Sequence, residues 1–220
     1  MTVEPLGRRQ RRRQETIEEI VDVAVVVMAE NGVAGLSLGE VARRMEMRTP
    51  SLYVYFDSKN AVYDAVFERG WREVHQFMSE LMDQVEVATD LRAYLLVFAQ
   101  RFVRWDVEHP VYAQLMGWRP VPGYQPSEGA YASAVDAFEA GRSIFSTLLA
   151  RGLFRPDVDV DTLMRTWTVL ASGVMTQQLA NAPHEPFETG TFTSTLPDLI
   201  DMYLAHYGAD QRTTTQGKPR

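Results

Sequence analysis

Between Asn31 and Lys59 the chain stops and restarts a helix three times, and no other stretch of the 220 residues constrains its fold as tightly. Asn31-Gly32 is a helix stop, since both residues suit the backbone turn that ends a helix. Six residues on, Ser37-Leu38-Gly39-Glu40 has the form of a capping box, in which serine and glutamate each satisfy a backbone amide at a helix start. Leu38, Val41, Ala42 and Met45 then form the buried stripe of a short helix. Four residues later Thr49 suits an N-cap and Pro50 the first helical position. This third helix is tiny, ending near Phe56, and Asp57-Ser58 offers a fresh cap for a long helix through Val62, Ala65 and Val66 to about Met82. Upstream, Ile17, Ile20, Val21, Ala24 and Met28 recur at helical spacing. The β-branched run Val25-Val26-Val27 weakens helix propensity there, but about fifteen residues without a breaker is too long for an ordinary strand.

Residues 37–56 thus read as helix, four-residue turn, short helix, fed by one helix and locked by another. That is the helix-turn-helix plan, whose second helix enters the major groove of DNA. Leu52 and Phe56 should face inward. Thr49, Pro50, Ser51, Val54 and Tyr55 remain outside, a surface of hydroxyls and small apolar groups with no acid. Hydroxyls can bond base edges or phosphates, and methyl-bearing groups can touch thymine. Lys59, at the next helix start, can hold a phosphate together with free amides.

The run Leu36-Ser37-Leu38, Val41-Ala42, Pro50-Ser51-Leu52-Tyr53-Val54-Tyr55-Phe56, Ser58-Lys59 resembles the DNA-binding region of TetR-family regulators over roughly residues 15–70. The resemblance implies that Thr49, Pro50 and Ser51 touch bases and that Val54 packs on thymine methyls or sugar. It implies phosphate contacts from Ser37, Tyr53, Tyr55 and Lys59. The chain departs from the pattern at the turn, where glycine is usual in place of Glu46 and small residues are common at Met45 and Arg48. Gly39 stands where some relatives place a base-contacting arginine, and Arg48 could supply part of that contact. The segment Gly117-Trp118-Arg119-Pro120 is similar to a motif of one subgroup.

Net charge does not oppose this reading. The total is −7, yet residues 1–60 hold nine Lys/Arg against nine Asp/Glu, so the acidity lies entirely in the remainder. Five of those basic residues fall within residues 8–13, and local potential matters more to a polyanion than net charge. Residues 1–13 are expected as a flexible basic arm, 14–58 as the helix-turn-helix domain, 59–208 as a helical effector-binding and dimerisation domain, and 209–220 as a disordered tail. Helices are expected near 90–108, 111–118, 127–152, 160–182 and 194–207, which makes the fold class all-α. The last two helices carry apolar positions on more than one side (Leu163, Trp167, Leu170 and Val174 on the first). They resemble the pair that forms the family's four-helix dimer interface, so a homodimer on a pseudo-palindromic operator is implied.

The body is rich in aromatic and flexible side chains. Phe98, Phe102, Trp105, Tyr112, Met116, Phe138, Trp167 and Met175 are candidates for an apolar effector pocket, because ligand sites are mostly apolar with few polar groups. Most such residues in any chain are ordinary core. The expected function is a transcriptional regulator, a repressor released from double-stranded operator DNA by a small apolar or aromatic effector. An effector-independent regulator is the alternative, and an enzyme using the same pocket a remote one. Gly35-Leu36-Ser37-Leu38-Gly39 matches the G-x-S-x-G nucleophile elbow, but that motif needs a preceding strand and an acid–histidine pair. Ser37 is better used as a cap. His75, His109, His184 and His206 lack metal-ligand spacing, so neither a metal nor another cofactor is expected. There is no cysteine, which excludes disulfides and thiolate sites and fits a reducing cytoplasm. The most apolar run, residues 23–29, is far short of the roughly 20 residues a membrane span requires. The basic start leads into charged residues rather than an apolar signal segment, so the expected location is the cytoplasm.

Overall fold

The computed structural model describes residues 7–209, which form helices and short turns with no strand among them beyond one isolated bridge between Phe154 and Gly208. The elements are α1 (Arg8–Asn31), α2 (Leu38–Arg44), α3 (Thr49–Leu52), α4 (Lys59–Val85), α5 (Leu91–Glu108), α6 (Pro110–Gly117), α7 (Glu128–Ala150), α8 (Val160–Asn181) and α9 (Leu196–Tyr207). The chain separates into two compact units. One contains the described residues up to Trp71 together with Pro110–Ala134, and the other contains Arg72–His109 with residues 135–209. The boundary expected after residue 58 therefore falls elsewhere: the first turns of α4 and the whole of α6 join the N-terminal unit.

In the first unit, Ile20, Val21, Ala24, Val27 and Met28 form the buried stripe of α1. They share a core with Val41 and Ala42 of α2, Leu52 of α3 and Val62, Tyr63 and Val66 of α4. Gly32 ends α1 at φ 77, a left-handed conformation that glycine adopts without a steric cost. Two polar ties fix α4 against this core. The Tyr63 hydroxyl donates to the Val33 carbonyl at 2.9 Å, and the Arg69 guanidinium meets Asp22 of α1 at 2.6 Å. Farther along, Asp64 accepts from the Tyr124 hydroxyl at 2.9 Å and from the Ser127 amide at 3.1 Å, pinning residues 118–127, the segment with Pro120, Pro122 and Pro126 that joins α6 to α7.

The flexible basic arm is corrected. Residues 8–13 are the first turns of α1, with the Gly7 amide donating to the Gln10 side chain at 3.2 Å. Arginine is a good helix former, so a run of arginines extends a helix as readily as it solvates a tail. Residues 1–6 and the expected tail from 210 onward lie outside the described residues.

In the second unit α5 packs against α8 and α9. Its centre is aromatic: Phe98 lies 4.9 Å from Trp167, Phe145 is 5.4 Å from Trp167, and Tyr203 is 5.7 Å from Trp167, ring centre to ring centre. Phe154 and Tyr203 meet edge to face at 6.2 Å. Within that cluster the Tyr203 hydroxyl donates to the Leu163 carbonyl at 2.9 Å, as a buried tyrosine must. Asp90 and Asp159 cap α5 and α8 by accepting from the Ala93 and Thr162 amides.

Candidate nucleic-acid interface

The short helix α3 presents its side chains as the sequence pattern predicts. Leu52 and Phe56 are buried, while Pro50 and Ser51 are exposed and Thr49 is half-buried. Tyr53 and Val54, just past the helix, are 52% and 69% exposed. The helix starts one residue earlier than expected: Arg48 occupies the N-cap, and Pro50 the second helical position. Proline lacks an amide proton, and neither of the first two helical positions needs one, so the sequence alone does not separate the two registers.

At the start of α2 the Ser37 hydroxyl accepts from the Glu40 amide at 3.3 Å. The reciprocal half of the expected box is not what Glu40 does. Its carboxylate takes Arg43 at 2.8 Å and Arg44 at 2.7 Å, and Arg44 also reaches Glu30 of α1 at 2.9 Å. Those guanidinium hydrogen bonds hold the Glu40 carboxyl down at about 2 and tie α2 to α1. The turn that follows is made by Glu46 at φ 53, a non-glycine residue in the left-handed region, where the family pattern has glycine.

Lys59 begins α4, and Ser58 caps it by accepting from the Ala61 amide at 3.1 Å. The Lys59 ammonium donates to the Ala34 carbonyl at 3.1 Å and lies 5.5 Å over the Tyr63 ring, so it is positioned rather than loose and retains two further donors. Arg48 is exposed. Tyr55 is half-buried, and a residue outside the motif meets it: the Arg13 guanidinium lies 5.4 Å over its ring and donates to the Val54 carbonyl at 3.3 Å. Sequence reading missed this contact. Nothing local signals a pair 41 residues apart.

Of the eight effector-pocket candidates, Tyr112 and Met116 belong to the first unit and the other six to the second. Phe98 and Trp167 are inside the aromatic core, and Met175 is buried. Phe102 packs on Phe77, and Trp105 donates to Glu73 at 3.1 Å while stacking on His109. Phe138 is 46% exposed. Helical period says which residues face inward, but not whether the interior they meet is packed or hollow. A cavity of about 530 Å³ does occur in the second unit, as an open apolar groove along α8 and α9. It is lined by Val169, Leu170, Val174, Phe192, Leu199, Met202 and Tyr203 among others, none of them a pocket candidate. No helix among the described residues is long and apolar enough to cross a membrane.

A helix-turn-helix head with an exposed edge free of carboxylates thus opens an otherwise helical chain. Residues 20–66 match the family model for bacterial regulatory proteins, tetR family. That match covers the head and not the helical body. It is 25% identical over 119 residues to the HTH-type transcriptional regulator Rv1816 of Mycobacterium tuberculosis, an alignment covering 54% of this chain and 50% of that protein. The chain thus spans about half the length of the curated relatives it matches first. Among solved structures it is similar to the transcriptional regulator FadR of Bacillus subtilis in complex with stearoyl-CoA. The TM-score there is 0.69 at 13% identity, covering 86% of this chain and 97% of that one. It is also similar to the TetR family transcriptional regulator PfmR of Thermus thermophilus, at a TM-score of 0.64 and 18% identity, covering 84% of this chain and 97% of that one. At these identities the likeness is one of fold.

Proposed function

We propose that this chain is a cytoplasmic transcriptional regulator, not an enzyme, which binds a pseudo-palindromic operator as a homodimer and is released by a small apolar effector. The observation that carries the DNA reading is the edge formed by Pro50, Ser51, Tyr53 and Val54. It is exposed, holds no carboxylate and is presented by a helix whose opposite face is locked through Leu52 and Phe56. Thr49 and Ser51 offer hydroxyls to base edges, and Val54 offers methyls to thymine. Ser37, Arg48, Tyr53, Tyr55 and Lys59 surround that edge with donors suited to phosphate oxygens. The TetR-family head and the fold shared with a regulator solved with stearoyl-CoA support an effector-responsive body. In that mechanism the effector favours a conformation whose heads no longer match the groove spacing, and operator affinity falls by the coupling free energy.

Selection of bound sequences from a random duplex pool tests this. Two related half-sites separated by about one helical turn or a multiple of it are the expected result. Recovery of sequences with no shared pattern would overturn the reading. A second reading, a regulator that needs no effector, is favoured by the close packing of Phe98, Phe145, Trp167 and Tyr203, which leaves two of the expected pocket residues, Phe98 and Trp167, as core. An operator complex that long-chain acyl-CoA thioesters leave at full affinity would favour that second reading.

A further inference from the structure

Most arginines of the folded body are neutralised within the chain. Those at positions 43, 44, 69, 92, 101, 104, 142 and 155 each meet a carboxylate. Arg8, Arg9, Arg11 and Arg12 meet none among the described residues, and all four are exposed on the first turns of α1. Arg13, in the same run, is turned onto the recognition segment through the Val54 carbonyl and the Tyr55 ring. The nearest acids on α1, Glu15, Glu18 and Glu19, follow this run rather than interrupt it. A cluster of cations left without internal counter-charges, on an element fixed to an acid-free reading edge, is complementary to a polyanion.

We infer that the first two turns of α1 are a second DNA-contacting surface, a rigid basic ridge that grips backbone phosphates flanking the bases read by α3. The inference rests on the DNA-binding reading above. Arg9 stands one helical turn before Arg13 on the same face, so it extends past Val54 along the edge that Arg13 defines, and Arg8 and Arg12 occupy the adjoining face. Arg13 is a positioning residue: its hydrogen bond to Val54 sets where the ridge lies relative to the recognition segment. Because the ridge touches phosphates, it adds affinity without sequence preference, and because it is helical and docked, it does so at a fixed distance from the half-site.

Titration of the full chain against two fluorescent duplexes over a series of salt concentrations tests this, one duplex carrying the selected sequence and one of scrambled sequence. Each phosphate contact contributes about 0.9 to the slope of log affinity against log salt. Arg9→Ala with Arg12→Ala removes four such contacts from the proposed homodimer, so it should lower that slope by roughly 3.6 units on both duplexes and leave their affinity ratio unchanged. Arg13→Ala should lower the ratio as well. Arg13→Gln, which keeps a donor for the Val54 carbonyl, should restore the ratio. Circular dichroism of each variant confirms that α1 persists. A slope equal to the parent's in the double variant overturns the ridge, and an Arg13→Ala ratio equal to the parent's overturns the positioning role. A parent chain that binds neither duplex overturns the DNA-binding reading itself.

Discussion

Glu46 turns the chain between α2 and α3 at φ 53, where an L side chain crowds its own carbonyl at a cost of about 1–2 kcal/mol. The side chain is exposed, so removing it loses no packing. Glu46→Gly should therefore stabilise the chain by about 0.5–1 kcal/mol, part of the relief being offset by glycine's greater freedom when unfolded. Urea melts of the two proteins measure it, and a less stable glycine variant would show that the turn is not strained. Asp106 of α5 is a second residue under stress. It is buried, its Oδ2 has no hydrogen-bond partner, and burial pushes its carboxyl up to about 8 from an ordinary 3.8. In the unfolded chain the proton leaves near 3.8, whereas the folded chain keeps it until about pH 8. The folded state thus binds more protons across that window, and stability falls as pH rises through it, by up to about 1.4 kcal/mol per unit. Asp106→Asn removes the titration. The variant should lose less in melting temperature between about pH 5.5 and 8.5 than the parent, and should melt higher at the alkaline end. Parallel curves would sink the assignment.

Among the elements, those bounded by local chemistry were legible in the sequence. Ser37, Ser58, Asp90 and Asp159 each cap a helix by accepting an amide three residues on, and such caps are written within four residues. The start of α1 was missed because a run of arginines suits a helix and a tail alike, whereas the Arg13 contact and the packed state of the aromatic body are decided at long range. The loop between α8 and α9 belongs with these. Gln178 is fully buried on α8. Its Oε1 accepts from the Phe192 and Thr193 amides at 3.0 and 3.3 Å, and its Nε2 donates to the Ala182 carbonyl at 2.7 Å. One amide side chain thereby satisfies three backbone groups of a segment that has no ladder of its own. Gln178→Ala leaves the Phe192 and Thr193 amides unpaired, while the Ala182 carbonyl keeps the Glu185 amide at 3.2 Å, so a loss of about 2 kcal/mol is expected by denaturant unfolding. A loss below about 1 kcal/mol would mean that the loop holds itself.

At the scale of the whole molecule, the proposed homodimer would form on the groove along α8 and α9. Val169 and Met202 are 69% and 67% exposed, on either side of a trough lined by Leu170, Val174, Leu199 and Tyr203. A single chain in water does not gain from showing so much apolar surface, whereas a second copy placed by a two-fold axis covers both grooves at once. The proposed operator with two half-sites needs the same symmetry, because a helix as short as α3 offers few base contacts on its own. The parent chain should therefore scatter light as a species of about twice 25.0 kDa at micromolar concentration without DNA. Val169→Glu with Met202→Glu places carboxylates in the contact, and burying them unpaired costs several kcal/mol each, so this variant should be a monomer. Both positions are open in the single chain, so its circular dichroism should stay helical. Its affinity should fall steeply on the full operator and little on an isolated half-site. A variant that remains dimeric would move the interface off this groove. A parent that is monomeric at micromolar concentration would remove the two-fold operator as well.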